Sequence, residues 1–291
     1  GMAMNCFTQK GDKVMIQPPV YHPFAWVTTR NERTLVTNPL KWENGMYRMD
    51  LDTFREQIKG CKLFILCNPH NPGGVVWTEA ELRAIADICY DEKVLVFSDE
   101  IHADLTLPPH THRPFATVSE KARMNSVTFM SPSKAFNMPG LSASHALIFN
   151  EDLRKRFRIY MDAGELDMGH VFAFLSVEAA YSHGTEWLDQ CLAYIQGNID
   201  FVDDFLKNHA PKIKAIRPEA SYLVWLDCRE LKLSQKDLNE FFVDKAHLAL
   251  NDGEMFGKEG IGFMRLNVAS PRCIIEKAMK QLADAYQLYI K

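Results

Sequence analysis

The sequence predicts an α/β protein built on a mainly parallel sheet, followed by a smaller α+β unit. Three observations predict it. Short apolar runs at Lys62–Cys67, Val94–Ser98 and Ser126–Met130 lack polar alternation, as expected of strands buried on both faces of a parallel sheet. A helical pattern over Thr78–Asp91 separates the first two runs. After Pro211 the pattern changes to strands near Ile213–Arg217, Tyr222–Asp227 and Gly262–Val268, with helices at Gln235–Ala246 and Pro271–Tyr289.

In chain order, Ala3–Lys10 followed by Gly11 reads as the last turns of a glycine-capped helix. Val14–Gln17 is short and apolar and follows the helix-stop signal Lys10-Gly11-Asp12, so it reads as a strand. The helix Thr78–Asp91 opens with Thr78 as N-cap and Glu81 three residues on, a capping box. His145–Phe149 is expected to be a further strand, and Glu151 to Asn208 mostly helical. The large unit is assigned to residues 1–184 and the small one to 185–291.

A chain of 291 residues can hold such a pair of domains. With 47% hydrophobic and 24% charged residues it has the composition of a soluble globular protein. The net charge of −4 gives no reason to expect nucleic acid. No apolar run approaches the roughly 20 residues of a membrane helix, and the N-terminus lacks a secretory signal pattern. The seven cysteines are scattered, without C-x-x-C spacing, which suggests reduced thiols in a cytoplasmic protein and no metal site.

Several residues can carry chemistry. Lys134 follows Ser131-Pro132-Ser133 just past the strand Ser126–Met130. It is either a solvated loop lysine or an amine that can form a Schiff base beside two hydroxyls able to hold a phosphate; the serines also suit turn chemistry around Pro132. Asp99 ends an apolar strand, and ligands of open α/β sheets sit beyond the carboxyl ends of strands. Its carboxylate can pair with a pyridine nitrogen or cap the segment that follows. Asn71 lies in Asn68-Pro69-His70-Asn71-Pro72-Gly73-Gly74, and Tyr21 in Pro-Pro-Val-Tyr-His-Pro-Phe. Arg265 lies inside an apolar strand and needs a partner. Its planar fork suits an amino-acid α-carboxylate or a structural ion pair. Glu100 reads as structural and Arg272 as a helix start. Pyridoxal 5'-phosphate (PLP) requires this set: a lysine, an anion at the ring nitrogen and donors for the phosphate.

The strings PPVYHPF, NPHNPGG, SDEIHADL, SPSKAFNMPGL and FMRLNVASPR occur in this order. With them the chain resembles, from about Lys10 to the C-terminus, the class I/II aminotransferase-like family of fold-type I PLP enzymes. Within that family it is most similar to the cystathionine β-lyase, or C–S lyase, branch, chiefly through SDEIH and SKAFN. The resemblance implies a catalytic set of Lys134, Asp99 and Tyr21. Lys134 attaches PLP, Asp99 meets the ring nitrogen, Tyr21 stacks on the ring, and Ser131 and Ser133 hold the phosphate. Asn71 bonds the ring oxygen and the substrate carboxylate, and Arg265 binds that carboxylate. His102 stands where typical aminotransferases have a tyrosine, a departure that favours the lyase branch. His22 could face the substrate. The implied reaction is β-elimination of a sulfur amino acid to pyruvate, ammonia and a thiol, in a homodimer. The alternatives are a class I/II aminotransferase and a protein that folds without catalysis. Two departures bear on the phosphate. No arginine follows Lys134 in Met138-Pro139-Gly140-Leu141-Ser142-Ala143-Ser144, and family members extend further at the N-terminus. The chain is therefore expected to hold only part of the phosphate cup and to bind PLP loosely.

Overall fold

In this computed structural model residues 1–289 are described. The strands β1 (Lys13–Ile16) and β2 (Thr34–Thr37) are followed by a hairpin, β3 (Lys41–Glu43) and β4 (Met46–Arg48). Then come β5 (Cys61–Cys67), β6 (Leu95–Asp99), β7 (Ser126–Met130) and β8 (His145–Leu147). Apart from the hairpin these form one sheet in the order β2-β1-β5-β6-β7-β8. All its pairings are parallel except β7 with β8, where Thr128 lies opposite Leu147. β5 leaves only Lys62 exposed, the burial that a continuous apolar run anticipates.

Helices cover this sheet: α1 (Met2–Phe7), α2 (Pro23–Arg30), α3 (Leu51–Gln57), α4 (Glu79–Asp91) and α5 (Glu120–Met124). α4 begins at a complete capping box. The Thr78 hydroxyl accepts from the Glu81 N–H at 3.2 Å, and the Glu81 carboxylate accepts from the Thr78 N–H at 2.8 Å. Its buried face, Leu82, Ile85, Ala86, Ile88 and Cys89, packs into a core with Phe54, Phe64 and Trp77. Each large apolar side chain so buried contributes about 1.5–3 kcal/mol. A short helix, α6 (Pro132–Ala135), follows β7, and α7 (Glu151–Ala163), α8 (Val171–His183) and α9 (Thr185–His209) fill the expected helical stretch. On α8, Val171, Phe172, Phe174 and Leu175 are all more than half exposed.

The rest of the chain forms an antiparallel sheet in the order β11-β12-β10-β9, from β9 (Lys214–Ile216), β10 (Leu223–Asp227), β11 (Asn251–Asp252) and β12 (Phe263–Asn267). It packs with α9, α10 (Gln235–Glu240) and α11 (Arg272–Tyr289) around Ile199, Val202, Leu206, Val224, Phe242 and Met279. Trp225 joins the core beneath the large sheet, where it stacks on Phe263 of its own sheet at 5.2 Å and donates to the Tyr47 hydroxyl of the hairpin at 3.2 Å.

Three local expectations change. The first helix stops at Phe7 instead of running to Lys10, because Arg33 takes both the hydroxyl and the carbonyl of Thr8 (2.9 and 2.6 Å) and holds that residue extended. Gly11, with φ +86°, serves the turn that brings its N–H to the Glu32 carbonyl. The expected helix Gln235–Ala246 is α-helical only to Glu240; it then widens into a π-turn over Phe241–Lys245, with adjacent Phe241 and Phe242 both buried. β2 and the hairpin are strands that the apolar pattern did not mark.

Candidate active site

The loops leaving β5, β6 and β7 meet the small sheet around a cavity of about 190 Å³. Its walls are Tyr21, Cys67, Asn71, Asp99, Ile101, His102, Lys134, Tyr222, Leu223, Arg265 and Asn267. Six of the eight residues expected at the site are therefore together: Tyr21, Asn71, Asp99, His102, Lys134 and Arg265.

Asp99 is the last residue of β6, in register with Cys67 on one side and Phe129 on the other. Its Oδ1 accepts from the Ile101 N–H at 3.3 Å, so it does act on the turn that follows as well as facing the cavity. Burial raises its pKa to about 6; the Glu100 charge pushes the same way, and the Ile101 N–H and the Lys134 charge oppose them. A carboxyl destabilised in this way gains most from a cationic partner. Asp99 and Tyr21 also line an adjoining, mostly apolar cavity of about 580 Å³ that reaches Gly1, Phe24 and Phe157.

Lys134 sits in the short helix that Ser131 caps. The Ser131 hydroxyl accepts from the Ser133 N–H at 3.1 Å and donates to the Ala143 carbonyl at 2.6 Å. The Ser133 hydroxyl lies 3.5 Å from the same carbonyl. Lys134 reaches the cavity, whereas the two serines are engaged in the turn and are not among its walls.

Arg265 is held on three sides. Its Nη1 donates to Asn71 Oδ1 at 2.8 Å, its Nη2 donates to Asn251 Oδ1 at 2.7 Å, and its guanidinium lies 4.7 Å from the centre of the Phe256 ring. Its Nε is buried without a partner, and burial lowers its pKa. The Asn71 loop is fixed in turn. The His70 ring bonds the Pro19 carbonyl at 2.9 Å, and the Gly74 carbonyl accepts from Glu219 and Ala220. Gly74 has φ +68°, and a Cβ there would stand 2.5 Å from Pro218 Cβ.

His102 is buried, and burial, followed by the Lys134 and Arg265 charges, lowers its pKa to about 3. It is neutral at pH 7, and its Nδ1 has no partner. His22 is not a cavity wall; its ring packs on Trp26 and Phe256. Sequence reasoning missed Cys67, Tyr222, Asn251 and Phe256. Tyr222 and Cys67 lie at the ends of expected strands, where a site residue could have been sought. Asn251 belongs to a two-residue strand with no sequence signal. Burial raises the Cys67 thiol, which stays protonated. Among the described residues no cluster of His, Cys, Asp and Glu could hold a metal ion.

A strand-end carboxylate, a lysine and an anchored arginine thus line one cavity. The sequence model of aminotransferase class I and II matches residues 1–282, and the chain belongs to that family. Its fold is the fold-type I, aminotransferase-like one. It is 38% identical over 286 residues to the cystathionine beta-lyase PatB of Bacillus subtilis (strain 168), a match covering 98% of this chain and 74% of the relative. It is 32% identical to the protein MalY of Escherichia coli (strain K12), covering 96% and 72%. The crystal structure of cystalysin from Treponema denticola, which contains a pyridoxal 5'-phosphate cofactor, aligns with a TM-score of 0.96 at 36% identity, covering 100% of this chain and 74% of that one.

Proposed function

We propose that this chain is a PLP-dependent carbon–sulfur β-lyase of the cystathionine β-lyase type. The observation that carries the reading is the convergence of Asp99, Lys134 and the Asn71–Arg265 pair on one cavity, in a chain related to cystathionine β-lyases over nearly its whole length. The residues fit the cofactor. Two wall residues carry buried polar atoms without partners, His102 Nδ1 and Arg265 Nε, and such atoms call for ligand partners. PLP bound there supplies an electron-withdrawing ring for the pair left at a substrate Cα.

The chain's own residues do the rest. Lys134 would hold the cofactor through its Nζ, and the same amine would serve as the base that takes the Cα proton. With PLP bound, Asp99 would keep the ring nitrogen protonated, His102 and Asn71 would serve the ring oxygen and Tyr21 the ring face, and Ser131 and Ser133 would serve the phosphate only on giving up their contacts with the Ala143 carbonyl. Arg265, fixed by Asn71 and Asn251, grips the α-carboxylate so that Cα–H points at Lys134. The net reaction takes a sulfur amino acid and one water to a thiol, pyruvate and ammonia.

In this reading residues 1–184 form the cofactor domain and 185–291 the small domain. The exposed apolar side chains Val171, Phe172, Phe174 and Leu175 of α8 support a homodimer, since an exposed apolar patch is normally covered. Seven free cysteines, and helices none of which is long and apolar enough to cross a membrane among the described residues, support the cytoplasm as its place. The test is incubation of purified protein with PLP and cystathionine without a keto acid. Release of pyruvate is expected. Turnover that appears only when a keto acid is added identifies an aminotransferase instead.

A further inference from the structure

We infer that Glu100 and His112 are positioning residues for Asp99, setting its carboxylate against the cofactor's ring nitrogen from behind the cavity. This rests on the PLP reading above. Side chains alternate along a strand: Asp99 turns into the cavity, while Ser98 and Glu100 turn away from it and bond each other. Glu100 is 1% exposed. Its Oε1 accepts from the Ser98 hydroxyl at 2.7 Å and from the Phe115 N–H at 2.9 Å, and its Oε2 lies 2.7 Å from His112 Nε2. A carboxylate buried this deeply requires such donors.

Two of the three donors come from the segment 112–115, which contributes nothing to the cavity wall. The same segment braces the neighbouring loop, because Asn68 Nδ2 donates to the Arg113 carbonyl at 3.2 Å. The Asn68 N–H donates to the Asp99 carbonyl at 2.9 Å, and the Glu100 N–H donates to the Phe129 carbonyl at 2.8 Å. The backbone on either side of Asp99 is therefore pinned, while its carboxylate keeps only the 3.3 Å bond from the Ile101 N–H. The direction of that carboxylate thus depends on where residues 98–100 are held. His112 is itself costly, since its Nδ1 is buried without a partner. An apolar ring would pack there without leaving a polar atom unmet, so what the imidazole adds is the bond to Glu100.

The test uses the full chain, PLP enriched in ¹⁵N at the ring nitrogen, and the variants His112→Ala, His112→Gln and Glu100→Gln. The readouts are PLP affinity by titration and the ¹⁵N shift of the bound ring nitrogen. Losing the buried charge-assisted bond in His112→Ala should weaken PLP about tenfold or more and move the signal toward the unprotonated nitrogen. His112→Gln, which restores an N–H donor, should recover most of both. Glu100→Gln keeps one acceptor oxygen but loses the charge, and should shift both readouts as His112→Ala does; it decides the matter if His112→Ala does not fold. A folded variant that keeps the parent's PLP affinity and ¹⁵N shift, even with a lowered Tm, overturns the inference and leaves the pair a structural brace. A parent chain that takes up no PLP overturns the proposed function and this inference with it.

Discussion

Replacing Asp99 with asparagine should stabilise the cofactor-free protein while damaging the site. In the folded chain burial raises this carboxyl from 3.8 to about 6. Below both values it is protonated folded and unfolded, and its pKa change has no effect on stability. As pH rises the unfolded chain ionises first, which favours unfolding; the penalty grows until the folded group ionises near 6 and is constant above. At about 1.4 kcal/mol per pH unit the full gap is worth about 3 kcal/mol, and water in the cavity that Asp99 lines screens it to about 1–3 kcal/mol. Asparagine carries no charge and still offers an oxygen to the Ile101 N–H. His70 and His102, lowered by burial to about 4 and about 3, cost both proteins stability alike as pH falls below the ordinary imidazole value, so they cancel in the difference. Urea unfolding at about pH 4.5 and about pH 8 reads it: the asparagine variant's advantage should widen by about 1–2 kcal/mol between the two. An advantage that does not change with pH would refute the reasoning. With PLP present, the same variant should exchange the Cα proton of an amino acid far more slowly than the parent.

Borohydride reduction of the PLP-loaded protein and peptide mapping should place the pyridoxyl label on Lys134, and a label on another lysine removes it from its role. Arg265→Lys keeps the charge but loses the two-pronged hold on Asn71 and Asn251; amino-acid affinity should fall roughly 10- to 100-fold with the cofactor's visible spectrum unaltered. Unchanged affinity would make Arg265 purely structural. Gly74→Ala places a Cβ against Pro218 at a positive φ, and should lower stability by about 1–3 kcal/mol in urea unfolding and weaken substrate binding through the Asn71 loop; a variant of parental stability would show that the loop yields freely.

The sequence by itself determined the mainly parallel sheet, the capping box at Thr78, the place of Asp99 at the end of a strand and that of Lys134 just past another. These follow from local facts: apolar runs without polar alternation, a hydroxyl three residues before a glutamate, and charged side chains where or just after a strand stops. The same locality explains the misses. The first helix ends at Phe7 because Arg33 captures Thr8, and β2 is a strand because β1 lies beside it. Tertiary structure alone decided the partners of Arg265. The contact with Asn71 closes across 194 residues, and Asn251 sits on a strand too short to leave a pattern. It also decided that Glu100 is buried against His112 while Asp99, one residue earlier, faces the cavity. Strand alternation makes neighbours point apart, but which face becomes a cavity and which is closed by another segment is set by chain folding back from elsewhere, and no local spacing records it.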